Sequence, residues 1–169
     1  MSQPATGQNS MGRIAFASLV GTTVEFYDFF VFGTAAALVF KDAFFPALGS
    51  AAGTLASLAT FGVAFYVRPL GSVIFGHFGD RGGRKATLVA SLLLMGLATF
   101  SIGLLPTADS IGVAAPILLV LLRLCQGIAV GGEWAGAVLL TGEHAPAGQR
   151  GKYTVFPQLG PAVALALVG

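Results

Sequence analysis

The sequence predicts an all-α membrane protein, and three observations lead to that prediction. Charged residues make up only 9% of the chain, whereas soluble domains carry about 25%. Apolar residues reach 55%. These apolar residues come in runs long enough to cross a bilayer, rather than in short strands or amphipathic stripes. The bilayer is therefore the expected solvent for most of the chain.

The chain order predicts a polar tail followed by membrane helices. Residues 1–11 are small and polar and are expected to form a disordered cytoplasmic tail. A cleaved signal peptide is not expected, because the first apolar run carries Glu25 and Asp28 in its middle. We expect four complete spans and most of a fifth, at about 14–38, 54–75, 86–105, 111–140 and 153–169. The last run is still apolar at Gly169, so the chain is expected to be a fragment of a longer bundle.

The basic residues predict the orientation of these spans. Arg81, Arg84 and Lys85 follow the second span, and Arg150 and Lys152 follow the fourth, whereas the loop after the third has no basic residue. Basic loops stay preferentially on the cytoplasmic side. We therefore expect a multi-pass protein of the inner (plasma) membrane with a cytoplasmic N-terminus.

The composition argues against the other common classes of function. The single cysteine, Cys125, lies in an apolar run, and only two histidines are present. No phosphate-binding loop, zinc-binding His-Glu-x-x-His motif or nucleophile elbow occurs. A net charge of +2 is too small to indicate nucleic acid binding. We therefore expect no enzyme activity, no cofactor, no metal site and no nucleic acid partner.

Charged side chains inside the predicted spans are the candidate functional residues. A charge at the bilayer centre costs about 2.5–3.5 kcal/mol, so it normally faces a cavity or a partner. Glu25 and Asp28 are three residues apart and lie on one helix face, and Arg123 and Gln126 have the same spacing. The alternative is that they form structural ion pairs between helices. The candidates for a substrate and proton path are Glu25, Asp28, Arg123, Gln126 and Glu133.

Glycine recurs at helical spacing and predicts close helix packing. Gly127 and Gly131 are four residues apart, as are Gly132 and Gly136. Small residues at this spacing let two membrane helices approach closely. On the second span, Gly62 and Gly71 are candidates for the same role.

Two motifs resemble signatures of the major facilitator superfamily of transporters. The segment 76–85 resembles the signature between the second and third helices, Gly-x-x-x-Asp-Arg-x-Gly-Arg-Lys, and its matching residues are Gly76, Asp80, Arg81, Gly83, Arg84 and Lys85. Arg123, Gln126 and Gly127 resemble a second signature, Arg-x-x-Gln-Gly, on the fourth span. The sequence around Glu25 and Asp28, with Gly131-Gly132-Glu133, is similar to the metabolite–proton symporters, which carry proline/betaine, shikimate, 2-oxoglutarate and citrate.

The resemblance implies a fold and a function. The implied fold is a twelve-helix bundle of two six-helix halves, of which this chain would supply part of the first. The implied function is proton-coupled symport of a small carboxylate-bearing metabolite or zwitterionic osmolyte, driven by the proton gradient. Arg123 would contact the anion or take part in proton coupling, Glu25 and Asp28 would take up protons, and the 76–85 segment would act as a cytoplasmic gate. The expected partners are the lipid bilayer, the substrate, protons and the remaining C-terminal helices.

Two alternatives stay open at this point. The chain can be a truncated membrane module that does not transport. It can also be an exchanger of the same fold, because Gly160-Pro161 partly matches a glycine–proline signature of antiporters.

Overall fold

The computed structural model describes the backbone of residues 6–144 and 150–169, and side chains mainly within 19–83, 86–133 and 158–169. The described part consists of helices and connecting turns, with no strand. Within that part, five helices exceed the length of two turns, and two short helices and a 3-10 turn lie between the first and second and between the third and fourth of these. In order they are α1 (Thr6–Leu38), α2 (Phe40–Phe44), a 3-10 turn (Pro46–Leu48), α3 (Gly49–Gly82), α4 (Arg84–Gly103), α5 (Ala108–Ile111), α6 (Ala114–His144) and α7 (Arg150–Val168). The predicted all-α class is confirmed.

Several helices extend beyond the predicted apolar runs. Helix α1 begins at Thr6, within the segment expected to be a tail, and residues 1–5 lie outside the described part. Helix α3 continues to Gly82, so most of the segment expected to be a charged loop is helical. Once a helix is nucleated, each added residue gains a backbone hydrogen bond, and polar residues can therefore extend an apolar helix into the headgroup region.

Gly83 forms the break between α3 and α4. Its φ angle is +98°, a backbone conformation that residues other than glycine rarely adopt. The amide of Gly83 donates a hydrogen bond to the carbonyl of Gly79 and closes the end of α3. One glycine therefore turns the chain between two membrane-length helices, which explains its place in the 76–85 motif.

Three of the described helices are long and apolar enough to cross a membrane. They cover Pro46–Gly82, Ala86–Gly103 and Ala114–Glu133, and a shorter apolar stretch covers Gln158–Val168. In the most apolar stretch of the α6 span, 44% of the residues are buried within the protein, against 17% for the α3 and α4 spans. Helix α6 is therefore the most internal of the three, while α3 and α4 present more of their surface outward.

The chain divides into two compact units. One contains Val31–Glu133, and the other contains Met1–Phe30 with Trp134–Gly169. In the first unit, one core cluster contains Phe32, Ala36, Phe44, Ala115 and Leu119. The hydroxyl of Ser57 on α3 donates a hydrogen bond of 2.5 Å to the carbonyl of Ala36, which ties α3 to the C-terminal part of α1.

Helices α3 and α6 pack backbone against backbone. A Cβ atom added at Gly127 would lie closer than 3.0 Å to the backbone of Ala64, and one at Gly71 would lie equally close to the backbone of Ile128. Gly131 has the same relation to the Arg68 backbone. The hydroxyl of Ser72 also donates a 2.9 Å hydrogen bond to the carbonyl of Gly131. The predicted close packing is thus present at these glycines.

The expectation for Gly62 is wrong. Among the described residues, a Cβ atom added at Gly62 would meet nothing within 4 Å. Gly62 is nine residues before Gly71, or two and a half helical turns, so the two face opposite sides of α3. Gly136, the other glycine of the predicted stripe, lies outside the residues whose surroundings are described.

The second unit contains a similar close contact between α7 and α1. A Cβ atom added at Gly160 would lie 2.7 Å from the Cβ of Thr22. Gly160 and Thr22 are both buried. Close packing therefore accounts for the glycine of the Gly160-Pro161 pair without reference to exchange.

Candidate functional site

Arg123 and Gln126 form a buried hydrogen-bonded pair on α6. The side chains are each 3% exposed. Nη1 of Arg123 donates to Oε1 of Gln126 at 2.6 Å, a short distance typical of a bond from a charged donor. The spacing of three residues places the two side chains on adjacent turns of one helix face. The structure therefore brings these two predicted site residues together.

Thr99 on α4 extends this pair into a chain of three side chains. Nε2 of Gln126 donates to Oγ1 of Thr99 at 2.7 Å. Gln126 thus uses both ends of its amide, one toward α4 and the other toward Arg123. About one turn after Gln126, Ala129 and Val130 on α6 pack against Met95 on α4. Thr99 is therefore held at the apolar contact between α4 and α6.

Two phenylalanines lie against the guanidinium group of Arg123. Its Cζ atom is 3.4 Å from the ring centroid of Phe32 on α1 and 5.9 Å from that of Phe61 on α3. The two rings are stacked, with centroids 6.5 Å apart and planes inclined by 16°. A cation on an aromatic face gains about 2 kcal/mol when it is desolvated. Phe32 therefore both stabilises the charge of Arg123 and limits its rotation.

Glu133 lies on α6 about two turns after Gln126, and apart from this cluster. It is ten residues after Arg123, which corresponds to about 15 Å along a helix. Its side chain is 5% exposed, and among the described residues its Oε2 atom has no hydrogen-bond partner. Glu133 is therefore a second, separate polar position on α6 rather than part of the Arg123 cluster.

Glu25 and Asp28 lie on α1 in the other compact unit. Glu25 is 3% exposed and Asp28 is partly buried. The rings of Phe26, Phe29 and Phe30 contact one another beside them, with centroids 5.7 to 6.3 Å apart. The two carboxylates thus share one helix face, as their spacing predicts, next to an aromatic surface.

The residues of the predicted gate lie at the junction of α3 and α4. Gly76, Asp80 and Arg81 are on the last two turns of α3 and are exposed. Gly83 makes the turn, and Arg84 and Lys85 begin α4, with side chains outside the described part. The exposed position of Asp80 and Arg81 is suited to contacts outside the apolar core. Their role as a gate stays a prediction.

Arg123 and Gln126 are recognisable from the sequence, whereas Phe32, Phe61 and Thr99 are not. Arg123 and Gln126 stand out because a charge and an amide are unusual in an apolar helix. Phenylalanine and threonine are common in membrane helices, and these three lie at least 24 residues from the pair they contact. Thr99 could have been noticed only as a hydroxyl in a span without charges. Among the described residues, no group of three His, Cys, Asp or Glu side chains could hold a metal ion.

The fold and the site together define a polytopic membrane protein whose helices bury charged and amide side chains within their spans. Comparison with known proteins gives the family. Residues 14–167 match the sugar (and other) transporter family, so the chain belongs to this family of the major facilitator superfamily. Members of this family are transporters and not enzymes, as expected from the sequence.

Similar proteins with curated names are bacterial transporters. The chain is 55% identical to the inner membrane metabolite transport protein YhjE of Escherichia coli, over 95% of this chain and 37% of the relative. It is 54% identical to the shikimate transporter of the same species, over 92% of this chain and 35% of the relative. For the Escherichia coli proline/betaine transporter, identity is 42% over 80% of this chain and 27% of the relative. The chain thus spans between 27% and 37% of the length of these relatives. No solved structure matches it.

Proposed function

We propose that this chain is the N-terminal part of a secondary active transporter that couples entry of a small organic solute to entry of protons. The solute is a carboxylate-bearing metabolite or a zwitterionic osmolyte. The location is the inner membrane, with the N-terminus in the cytoplasm. The observation that carries the proposal is the buried Arg123–Gln126 pair within a bilayer-length helix. Family membership and the names of the relatives support it.

The arginine favours a substrate with a carboxylate. Its delocalised charge and forked donors suit carboxylate geometry better than a lysine would. Placing a guanidinium group within a bilayer costs free energy, so such a group is normally paired with a partner or has a function. In the proposed cycle, the two halves of the complete transporter rock around a central site, and Arg123 contacts the bound anion there.

Glu25 and Asp28 are the proposed proton-binding groups, with Glu133 as a further position on the polar path. Two carboxylates on one helix face can exchange a proton with water when the site opens to one side. Proton movement down its gradient then supplies the energy, and no cofactor is needed. The partners are the bilayer, the substrate, protons and the C-terminal helices of the complete transporter.

Uptake into vesicles tests this function. Proteoliposomes with the full-length transporter that contains this chain would be given an inward proton gradient and radiolabelled shikimate, 2-oxoglutarate, citrate, proline or betaine. We expect accumulation of one solute, and its collapse when a protonophore is added. No accumulation of any solute under the gradient would contradict the proposal for this panel.

The Asp28→Asn variant tests the proton-binding groups. It should abolish gradient-driven uptake, because the amide cannot carry a proton in and release it. Asp109→Asn is the matched control, since Asp109 is exposed outside the apolar spans. Unchanged uptake by Asp28→Asn would exclude Asp28 from this role.

The Asp80→Asn variant tests the gate. Transport should fall while substrate binding by the purified protein stays near normal, because Asp80 lies at the end of α3 and away from the Arg123 cluster. Equal losses of binding and transport would instead place Asp80 among the groups on which binding depends.

Exchange is the second candidate function, because it uses the same fold. It predicts that labelled solute enters vesicles preloaded with unlabelled solute, without any proton gradient. Gradient-driven accumulation into empty vesicles distinguishes symport from it. A chain that does not transport would give neither signal.

A further inference from the structure

We propose that Thr99 on α4 is a positioning residue for Arg123 and acts through Gln126. This inference rests on the proposed function, in which Arg123 contacts the substrate. Thr99 lies 24 residues before Arg123 in the chain and on a different helix. The connection between them is made by two side-chain hydrogen bonds, of 2.7 Å and 2.6 Å.

The chemistry of the three side chains gives this chain of bonds one direction. Arginine can only donate, so the Gln126 oxygen must face Arg123. The amide nitrogen of Gln126 then faces Thr99, and the Thr99 oxygen must accept. Each link therefore depends on the one before it, and the Thr99 hydroxyl holds the Gln126 amide in the orientation that Arg123 needs.

Arg123 is confined from two directions by residues on three helices. The Phe32 ring covers one face of its guanidinium group, at 3.4 Å from the centroid. The Gln126 oxygen accepts a hydrogen bond from Nη1 at the edge of the guanidinium group. The Phe32 ring prevents the guanidinium group from moving toward α1, and the bond from Gln126 to Thr99 fixes the position of the Gln126 side chain. Together they give one orientation to a side chain that otherwise has many rotamers.

Water cannot easily replace the hydroxyl at this place. Gln126 is 3% exposed and Thr99 is partly buried, with Met95, Ala129 and Val130 one helical step away. If the hydroxyl is removed, the Gln126 amide group is left with a buried donor that lacks its acceptor. It then rotates toward other acceptors, and its oxygen turns away from Arg123.

The Thr99→Val variant tests the inference, because valine has the shape of threonine without its hydroxyl. In the vesicle assay we expect KM for the transported solute to rise about 2- to 10-fold, as expected for one hydrogen bond, with Vmax unchanged within the error of the assay. Thr99→Ser should restore KM, because it returns the acceptor. Ser101→Ala is the matched control on α4, since the Ser101 hydroxyl donates to the carbonyl of Leu97 in its own helix.

The result that would overturn the inference is a KM for Thr99→Val equal to that of the unchanged protein. A Thr99→Ser variant as impaired as Thr99→Val would also overturn it, because the hydroxyl would then not be the active group. A loss of Vmax alone, in step with the amount of folded protein, would reduce Thr99 to a packing residue.

A second measurement does not depend on transport. Melting temperatures of purified Thr99→Val, Arg123→Met and the double variant form a double-mutant cycle. We expect Thr99→Val to change the melting temperature less in the Arg123→Met background than in the unchanged protein, because each variant removes a part of the same chain of bonds. An equal change in both backgrounds would overturn the inference. If the unchanged protein transports no solute, the proposed function fails, while this cycle still decides whether Thr99 and Arg123 are coupled.

Discussion

The two faces of α6 make different kinds of contact, through the backbone toward α3 and through side chains toward α4. Toward α3, Gly127 and Gly131 remove side chains altogether, so that the backbones of the two helices touch. Toward α4, Gln126, Ala129 and Val130 fill the contact with side chains, one of which is polar and hydrogen bonded. Arg123 lies at the edge between these faces, against the Phe32 ring.

The difference separates what the two faces can do. In a membrane, helices gain no hydrophobic stabilisation from pairing, so close backbone contact and packing hold them together. The glycine face supplies this contact and leaves no space for functional side chains between the two backbones. The polar face has fewer backbone constraints and carries Gln126 beside Arg123, the groups that we propose take part in transport. We therefore expect substitutions on the first face to affect folding, and those on the second to affect transport.

The largest effect is expected from Gly127→Leu. The added side chain would be forced into the Ala64 backbone, and a backbone cannot move aside as a flexible side chain can. Overpacking costs about 1–3 kcal/mol and occasionally more, and we expect the upper end here. The yield of folded protein after size-exclusion chromatography and its melting temperature measure it.

Gly62→Leu is the matched control for this prediction. Gly62 lies on α3, and no atom of the described part of the chain lies within 4 Å of an added Cβ, so the variant should fold normally. Equal losses in both variants would mean that helix propensity or membrane insertion, and not the α3–α6 contact, decides the result.

Arg123→Gln should have the second largest effect, and on transport rather than on folding. The change removes the charge that we propose binds the substrate and leaves a neutral side chain of moderate size. Uptake should fall at least about tenfold, the equivalent of roughly 1.4 kcal/mol. Arg123→Lys should recover only part of it, because lysine keeps the charge but loses the planar fork. Full activity in the lysine variant would show that charge alone is required.

Phe32→Leu should have a moderate effect. It removes the aromatic face beneath the guanidinium group, a contribution of about 0.5–2 kcal/mol, while keeping an apolar side chain in the core. Phe61→Leu is the comparison, because its ring is 5.9 Å from Arg123 instead of 3.4 Å. Solute affinity should therefore fall more for Phe32→Leu. An equal or reversed order would contradict the stacking as the means of holding Arg123.

Ser72→Ala should have the smallest effect. It removes the hydrogen bond to the Gly131 carbonyl, which contributes about 0.5–1.5 kcal/mol. The backbone contact at Gly131 stays in place, so the melting temperature should decrease slightly with normal uptake. A marked loss of uptake with unchanged stability would show that the α3–α6 contact also takes part in transport.

The sequence predicts the helices and part of the site, and the physical reasons also explain why it does not reveal Phe32 and Thr99. Long apolar runs and isolated charges are visible without a structure, which is why Arg123 and Gln126 were recognised. Their spacing of three residues made them neighbours on any helix. Phe32 and Thr99 become neighbours only when α1, α4 and α6 pack, and nothing in their residue types distinguishes them from lipid-facing or core positions.

Glycine illustrates the same limit. The spacing of Gly127 and Gly131 predicted a close contact, which the structure contains, but Gly62 and Gly71 were expected to act alike. Of these two glycines, only Gly71 faces α6, because the packing of the helices decides which side of α3 meets α6. Likewise, the charged segment after the second span has a loop-like composition, yet helix α3 continues through it as far as Gly82.

The separation of folding from transport on α6 is tested most directly by measuring melting temperature and gradient-driven uptake together for Gly127→Leu and Arg123→Gln. We predict that Gly127→Leu loses folded protein and uptake in parallel, while Arg123→Gln keeps a melting temperature near that of the unchanged transporter and loses uptake. If Arg123→Gln lost stability as much as Gly127→Leu, or if it transported normally, the assignment of the two faces would be contradicted.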